Sequence, residues 1–264
     1  MPARTPANLG RVAFVGAGPG QADLITLRGA QRLAQSAVVL CDALADPALR
    51  ELAPQARWLH VGKRGYADST GQEAINALLI KCAREVGPSG LVVRLKGGDP
   101  SVFGRLEEEL LAMAAAGIAC EVVPGVTAAL AAAASAQRPL TRRGVGRSVS
   151  FATAMTAAGT ADTGSSGRAD TEVFYMAGKQ LGALSRKLIK AGWPGETAVC
   201  VVSRAGWPDE LSSDHTVASL GQATMLHTGR PTAVVVGAGA RALNPVESPS
   251  AEKACAPWTA ALNT

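Results

Sequence analysis

Between Arg94 and Arg105 the chain reads Arg-Leu-Lys-Gly-Gly-Asp-Pro-Ser-Val-Phe-Gly-Arg, residue types whose spacing suits the binding of a small ligand. Leu91, Val92, Val93 and Leu95 predict a short buried strand. Gly97-Gly98 ends it with backbone that tolerates positive φ and carries no side chain to obstruct a bound molecule. Asp99 then stands at the strand's carboxyl end, the edge where open α/β sheets bind small ligands, and Asp-Pro turns the chain toward a helix starting near Arg105. A second glycine turn, Gly16-Ala17-Gly18-Pro19-Gly20, follows the predicted strand Val12-Ala13-Phe14-Val15. It makes a poor dinucleotide cradle, because Gln21 stands where that fingerprint needs its third glycine and Pro19 has no N–H to offer a pyrophosphate. Asp42 closes a strand over residues 37–41, roughly where a dinucleotide fold carries its ribose-binding acid, so an NAD-dependent oxidoreductase stands as one alternative.

The elements that must hold these turns alternate. Helical spacing of Gln31-Leu33-Ala34, Ile75-Leu78-Leu79 and Leu110-Leu111-Met113 falls between β-runs at 37–41, 91–95 and 119–123, which predicts a parallel-rich α/β domain over residues 11–137 behind an N-terminal extension of residues 1–10. Residues 138–147, with Pro139, Gly144, Gly146 and several arginines, predict an interdomain linker. A second α/β domain is expected over residues 148–241, with strands near Ser148–Phe151, Glu172–Met176, Ala198–Val202 and Ala233–Val236 and a helix from about Leu181 to Ala191. The Gly/Ser/Thr/Ala stretch from 157 to 170 predicts a mobile loop, and the polar, proline-broken residues 242–264 a disordered tail.

A chain of 264 residues with 47% hydrophobic content can bury one large core or two modest ones. Few aromatics and abundant glycine and alanine argue against a nucleic-acid stacking surface. There is no apolar run long enough to span a bilayer and no hydrophobic leader after Met1, so a cytoplasmic location and no membrane partner are expected. Cys41, Cys82, Cys120, Cys200 and Cys255 are scattered without a CxxC pair, and His60, His215 and His227 stand apart in the sequence. Neither a disulfide framework nor a metal site is indicated, and the histidines read as surface or satisfied core. The net charge of +5 gathers at Lys63-Arg64, Lys96, Arg105, Arg138, Arg142-Arg143 and Arg147, near the predicted ligand-facing loops. Interleaved with glycine turns, these favour a small polyanion over nucleic acid; a non-catalytic anion-binding module is a further alternative.

Six motifs recur in one order: Val15-Gly16-Ala17-Gly18-Pro19-Gly20, Leu40-Cys41-Asp42-Ala43-Leu44, Val61-Gly62-Lys63-Arg64, Arg94-Leu95-Lys96-Gly97-Gly98-Asp99-Pro100, Val123-Pro124-Gly125-Val126-Thr127-Ala128-Ala129 and Pro139-Leu140-Thr141-Arg142-Arg143-Gly144. In that order and spacing the chain resembles the tetrapyrrole methylases from about Arg11 to Ala240. The resemblance implies the two-domain fold of class III methyltransferases, with S-adenosyl-L-methionine held in the interdomain cleft and S-adenosyl-L-homocysteine as product. It implies cofactor contacts at Pro19, Gly97, Gly98, Asp99, Val102, Thr127, Ala128, Met176 and Ala205, with Asp42 as proton acceptor and Lys63 as donor. The nearest members C-methylate uroporphyrinogen III at C2 and C7 to give precorrin-2, on the way to sirohaem and cobalamin; a later precorrin C-methyltransferase is the alternative within the family. The rim carboxylates of such a substrate suggest Arg64, Arg105, Arg142, Arg143 and Arg147 as substrate-binding residues. A homodimer is implied as well. Gln21, Leu106-Glu107, Arg142, Ala154-Met155 and Ala205 depart from the common family pattern and read as a subfamily variation around the cleft.

Overall fold

The computed structural model describes residues 9–61, 71–155 and 168–243. Five strands, β1 (Arg11–Gly16), β2 (Val38–Cys41), β3 (Arg57–His60), β4 (Leu91–Lys96) and β5 (Cys120–Val123), form a first sheet in the order β3-β2-β4-β1-β5. Every pairing in it is parallel. Both faces are covered, which is why β1, β2 and β4 read as nearly unbroken apolar runs. Val12, Phe14, Leu40 and Val92 pack under α2 (Gln72–Val86) and α3 (Leu106–Ala115), while Ala13, Val15, Val39, Val93 and Leu95 meet Leu33 of α1 (Leu27–Ala34) and the short turn carrying Leu49. The helix expected near Arg105 is α3, with Arg105 at its N-cap.

A second sheet contains β6 (Val149–Thr153), β7 (Thr171–Tyr175), β8 (Ala198–Ser203), β9 (Leu211–Thr216) and β10 (Thr232–Gly237) in the order β6-β7-β10-β8-β9. Only β6 and β7 run parallel in it; the other pairs are antiparallel. β9 escaped the sequence reading because Leu211-Ser-Ser-Asp-His-Thr216 is a polar edge strand without an apolar run. One face of this sheet packs on α5 (Leu181–Lys190) through Leu181, Leu184 and Leu188. The other packs on α4 (Ala128–Ser135), whose Ala129 and Ala132 lie against Val173, Tyr175, Val202 and Val235. Helix α4 follows β5 in the chain yet covers the second sheet, so it couples the two halves ahead of the 138–147 segment. A last short helix, α6 (Thr224–His227), precedes β10. The expected loop at 157–170 and the expected tail lie largely or wholly outside the described residues.

Candidate functional site

The carboxyl ends of β1, β4 and β5 meet backbone to backbone, and glycine makes that possible. A Cβ on Gly16 would lie 2.6 Å from the backbone of Gly125 and 2.7 Å from the Gly98 carbonyl. Beyond this junction Gly18 and Gly98 exchange hydrogen bonds of 3.2 and 2.9 Å, both with positive φ (74° and 71°), so the two glycine turns fold onto one another. Asp99 fixes the arrangement: Oδ1 accepts from the Ser101 N–H at 2.8 Å and Oδ2 from the Gly125 N–H at 2.9 Å, tying the loop after β4 to the loop after β5.

The second sheet closes over this edge. Gln21 N–H donates to the Gly206 carbonyl at 3.0 Å, and Gly20 and Gly206 approach so closely that a side chain on either would strike the other loop. Thr127, at the N-cap of α4, shares a buried 2.7 Å hydrogen bond with the Tyr175 hydroxyl at the end of β7, and the Phe103 ring lies 5.0 Å from that of Tyr175. Burial pushes the Tyr175 phenol above its ordinary pKa.

Between the halves lies a cavity of about 240 Å3. All nine expected cofactor contacts line it: Pro19, Gly97, Gly98, Asp99, Val102, Thr127, Ala128, Met176 and Ala205. Its wall also includes Leu44, Phe103, Tyr175, Arg204, Trp207 and Thr232, which the sequence reading did not single out. Phe103, Met176 and Arg204 hold left-handed backbone (φ 53°, 58° and 54°), a conformation non-glycine residues adopt at a cost and one that clusters at functional sites. A Cβ on Gly98 would meet nothing nearer than the Val126 carbonyl oxygen at 3.9 Å and the Ala128 nitrogen at 4.0 Å, so the glycine opens directly into space a ligand can fill.

Asp42 lies along the same edge at the end of β2, but it lines a different cavity, of about 220 Å3, with Cys41, Arg50, Trp58 and His60. Its carboxylate pairs with Arg94 at 2.6 Å, the first link of a buried cluster in which Arg94 also meets Glu109 at 2.9 Å and Lys96 meets Glu109 at 2.5 Å. Lys96 is therefore not a ligand-facing cation. It turns into the protein under α3, where burial and the neighbouring Arg94 lower its pKa.

The expected substrate arginines scatter. Arg105 is exposed and pairs with Glu108 at 2.6 Å, two residues from the cavity-lining Phe103. Arg142, Arg143 and Arg147 precede β6, at the end of the second sheet opposite the cavity. There the Arg142 guanidinium donates to the Arg241 carbonyl, and Asp170 accepts from the Arg147 N–H at 2.9 Å. The linker position that suggested a cleft-facing role places them on the far rim, and Arg142 is not a departure flanking the cleft. Arg138 is likewise engaged, by Asp214 at 2.5 Å and by the Ala240 carbonyl. Lys63 and Arg64 lie outside the described residues.

The histidines are partnered in space. His227, fully buried, contacts the Ser203 hydroxyl through Nδ1 at 2.6 Å and the Ser213 hydroxyl through Nε2 at 2.8 Å; Ser213 reaches His215 at 2.8 Å. Because the Thr232 hydroxyl donates to the Arg230 carbonyl at 2.8 Å, Ser203 must donate to Thr232 and His227 Nδ1–H to Ser203, which leaves Nε2 to accept from Ser213. This directional chain ends at the cavity wall.

The sequence pattern of the Tetrapyrrole (Corrin/Porphyrin) Methylases matches residues 11–221. Over 213 residues the chain is 42% identical to a uroporphyrinogen-III C-methyltransferase of Paracoccus denitrificans (strain Pd 1222), covering 78% of this chain and 73% of the relative. It is 43% identical over 234 residues to siroheme synthase 2 of Yersinia pestis (strain Pestoides F), covering 87% of this chain but about half (48%) of that longer protein. Among solved structures, uroporphyrin-III C-methyl transferase from Thermus thermophilus, complexed with S-adenyl homocysteine, superposes with a TM-score of 0.71 at 33% identity, covering 86% of this chain and 97% of that one. The chain belongs to the tetrapyrrole methylase family and has its two-part α/β fold.

Proposed function

We propose that the chain is an S-adenosyl-L-methionine-dependent uroporphyrinogen-III C-methyltransferase, acting at C2 and C7 to give precorrin-2. The observation that carries this reading is the cavity between the sheets, where all nine expected cofactor contacts converge and Gly98 leaves open the space a bound cofactor needs. S-adenosyl-L-methionine supplies a sulfonium methyl already activated for transfer and leaves as S-adenosyl-L-homocysteine. The names of the relatives favour uroporphyrinogen over a later precorrin as acceptor. They also leave the oxidoreductase and the non-catalytic module without support.

The chemistry asks more of position than of functional groups. A porphyrinogen pyrrole carbon is an electron-rich nucleophile, so most acceleration comes from holding it in line at about 3 Å in a dry, preorganised cleft. The apolar wall of Leu44, Val102, Phe103 and Val202 suits that exclusion of water. As the new C–C bond forms, the ring must lose a proton, and Asp42 is the acceptor proposed here. Its ion pair with Arg94 at 2.6 Å fixes the carboxylate's orientation. General base help of this kind is worth roughly 10²–10⁴-fold. Lys63 is the proposed donor.

A cytoplasmic homodimer completes the proposal. No helix among the described residues is long and apolar enough to cross a membrane. The edge strand β6 exposes Phe151 beside Leu130 and Pro139 on a surface suited to a second copy. Incubation with S-adenosyl-L-methionine and uroporphyrinogen III, followed by mass and absorbance, tests the reaction. A product heavier by two methyl groups is expected, and recovery of unmodified substrate with active cofactor present would reject the proposal.

A further inference from the structure

Three arginines line cavities along the carboxyl edge of the first sheet and its roof: Arg50, Arg105 and Arg204. Arg105 is paired with Glu108 and Arg204 with Asp209, each at 2.6 Å. Arg50 has no carboxylate partner among the described residues. Its Nη2 lies 3.0 Å from His60 Nε2, and since a guanidinium only donates, Nε2 accepts and the ring's proton stands on Nδ1, aimed at the Cys41 sulfur 3.1 Å away. The guanidinium also lies over the Trp58 ring, 5.6 Å from its centre, and the indole N–H is anchored on the Ala53 carbonyl at 3.1 Å. Arg50 is thus braced from two sides with most of its five N–H groups uncommitted.

Both acids in the same cavity wall have partners within the protein, and neither pairs with Arg50. Asp42 pairs with Arg94, and Asp46 accepts from the backbone N–H groups of Ala22 and Ala48 at 3.0 Å each. What remains for a visitor is a concave space of about 220 Å3, with an oriented cation on one side and Asp42 on the other. That space holds a short carboxylate arm and not a ring system.

We propose that Arg50, braced by His60 and Trp58, is a carboxylate-binding subsite that takes one rim acetate or propionate of the tetrapyrrole and so fixes which pyrrole stands over the methyl donor. This rests on the acceptor being a polycarboxylate tetrapyrrole. The chain reads the arm through a guanidinium fork, whose bidentate geometry sets orientation as well as affinity.

The test compares the wild-type chain with Arg50→Gln, Arg50→Lys and His60→Ala. The readouts are equilibrium binding of uroporphyrinogen III in the presence of S-adenosyl-L-homocysteine, and KM and kcat for methylation. Arg50→Gln should weaken binding and raise KM by about tenfold, with kcat moved by less than about twofold and S-adenosyl-L-homocysteine affinity unchanged. Arg50→Lys should recover part of the loss, because it keeps the charge without the fork, and His60→Ala should fall between. Arg50 is exposed, so its variants are expected to melt like the wild type. Wild-type affinity and KM in Arg50→Gln would overturn the subsite and leave the methyltransferase reading intact. Arg50-dependent binding without methyl transfer would do the reverse, and no binding of uroporphyrinogen III by the wild type would overturn both.

Discussion

Gly98 and Glu109 show two ways a single residue governs this site. At Gly98 the backbone sits at φ 71° and the missing side chain is the opening of the cavity. Gly98→Val should therefore fold, at a cost of about 1–3 kcal/mol for a β-branched residue in the left-handed region, and should lose measurable S-adenosyl-L-methionine binding by calorimetry. Retained affinity in a folded variant would remove this loop from the site. Glu109 is fully buried and is the shared anion for Arg94 and Lys96. Glu109→Gln leaves two buried cations with one carboxylate, Asp42, between them, and is expected to cost about 3–5 kcal/mol in denaturant unfolding. The sequence announced both residues unequally. The glycine turn was readable because only glycine suits a positive φ against a ligand. Lys96 was misread because its neighbour Gly97 made it look like a loop residue, whereas β4 runs on to Lys96 and a charge in a strand covered on both faces demands a buried counter-charge, which Glu109 of α3 supplies.

At the scale of elements, β8, β9, β10 and α6 are stitched together by the chain from His215 through Ser213, His227 and Ser203 to Thr232. Burial, with His215 and Arg230 nearby, lowers the pKa of His227 below its ordinary value. The unfolded chain then binds the extra proton more readily than the folded one. Stability should be full above about pH 6.5, the ordinary histidine value, and should decline as the pH falls from there toward the lowered folded value. Urea unfolding across that range checks this: His227→Gln should flatten the profile, and an unchanged slope would show that His227 does not carry it. Little of this was visible in the sequence, where Ser203, the Ser213–His215 pair and His227 are spread over 24 residues and only the tertiary fold unites them. Elements with strong period or composition were legible, notably β1, β4, α3 and α5. The polar edge strand β9 was not, and neither was the partner of α4, because a helix of alanines has no apolar stripe to declare which sheet it faces.

For the whole molecule, the order of motifs foretold the fold, while the position of charged surface groups relative to the cleft depended on three-dimensional closure. Arg142, Arg143 and Arg147 belong to the segment that joins the halves, yet they lie ahead of β6, at the end of the mixed second sheet away from the cavity. The exposed apolar edge around Phe151 and Leu130 belongs to this scale as well. Sedimentation at micromolar concentration should give twice the 26.8 kDa chain mass, and Phe151→Glu should shift it toward the monomer. A monomer for the unmodified chain would refute the dimer.

Helix α4 has a bearing on how such chains can be recombined. It is encoded with the first sheet and buried with the second, so the apparent hinge at 138–147 is the wrong seam. A chimera that takes its first half from this chain and its second from a relative, joined at residue 140, would set a foreign sheet against alanines shaped for Val173, Val202 and Val235. Moving the junction upstream to Pro124-Gly125-Val126 sends the helix with the sheet it fits. The heritable unit of this fold is therefore offset from its visible halves, and the earlier junction should give the more stable and more active hybrids.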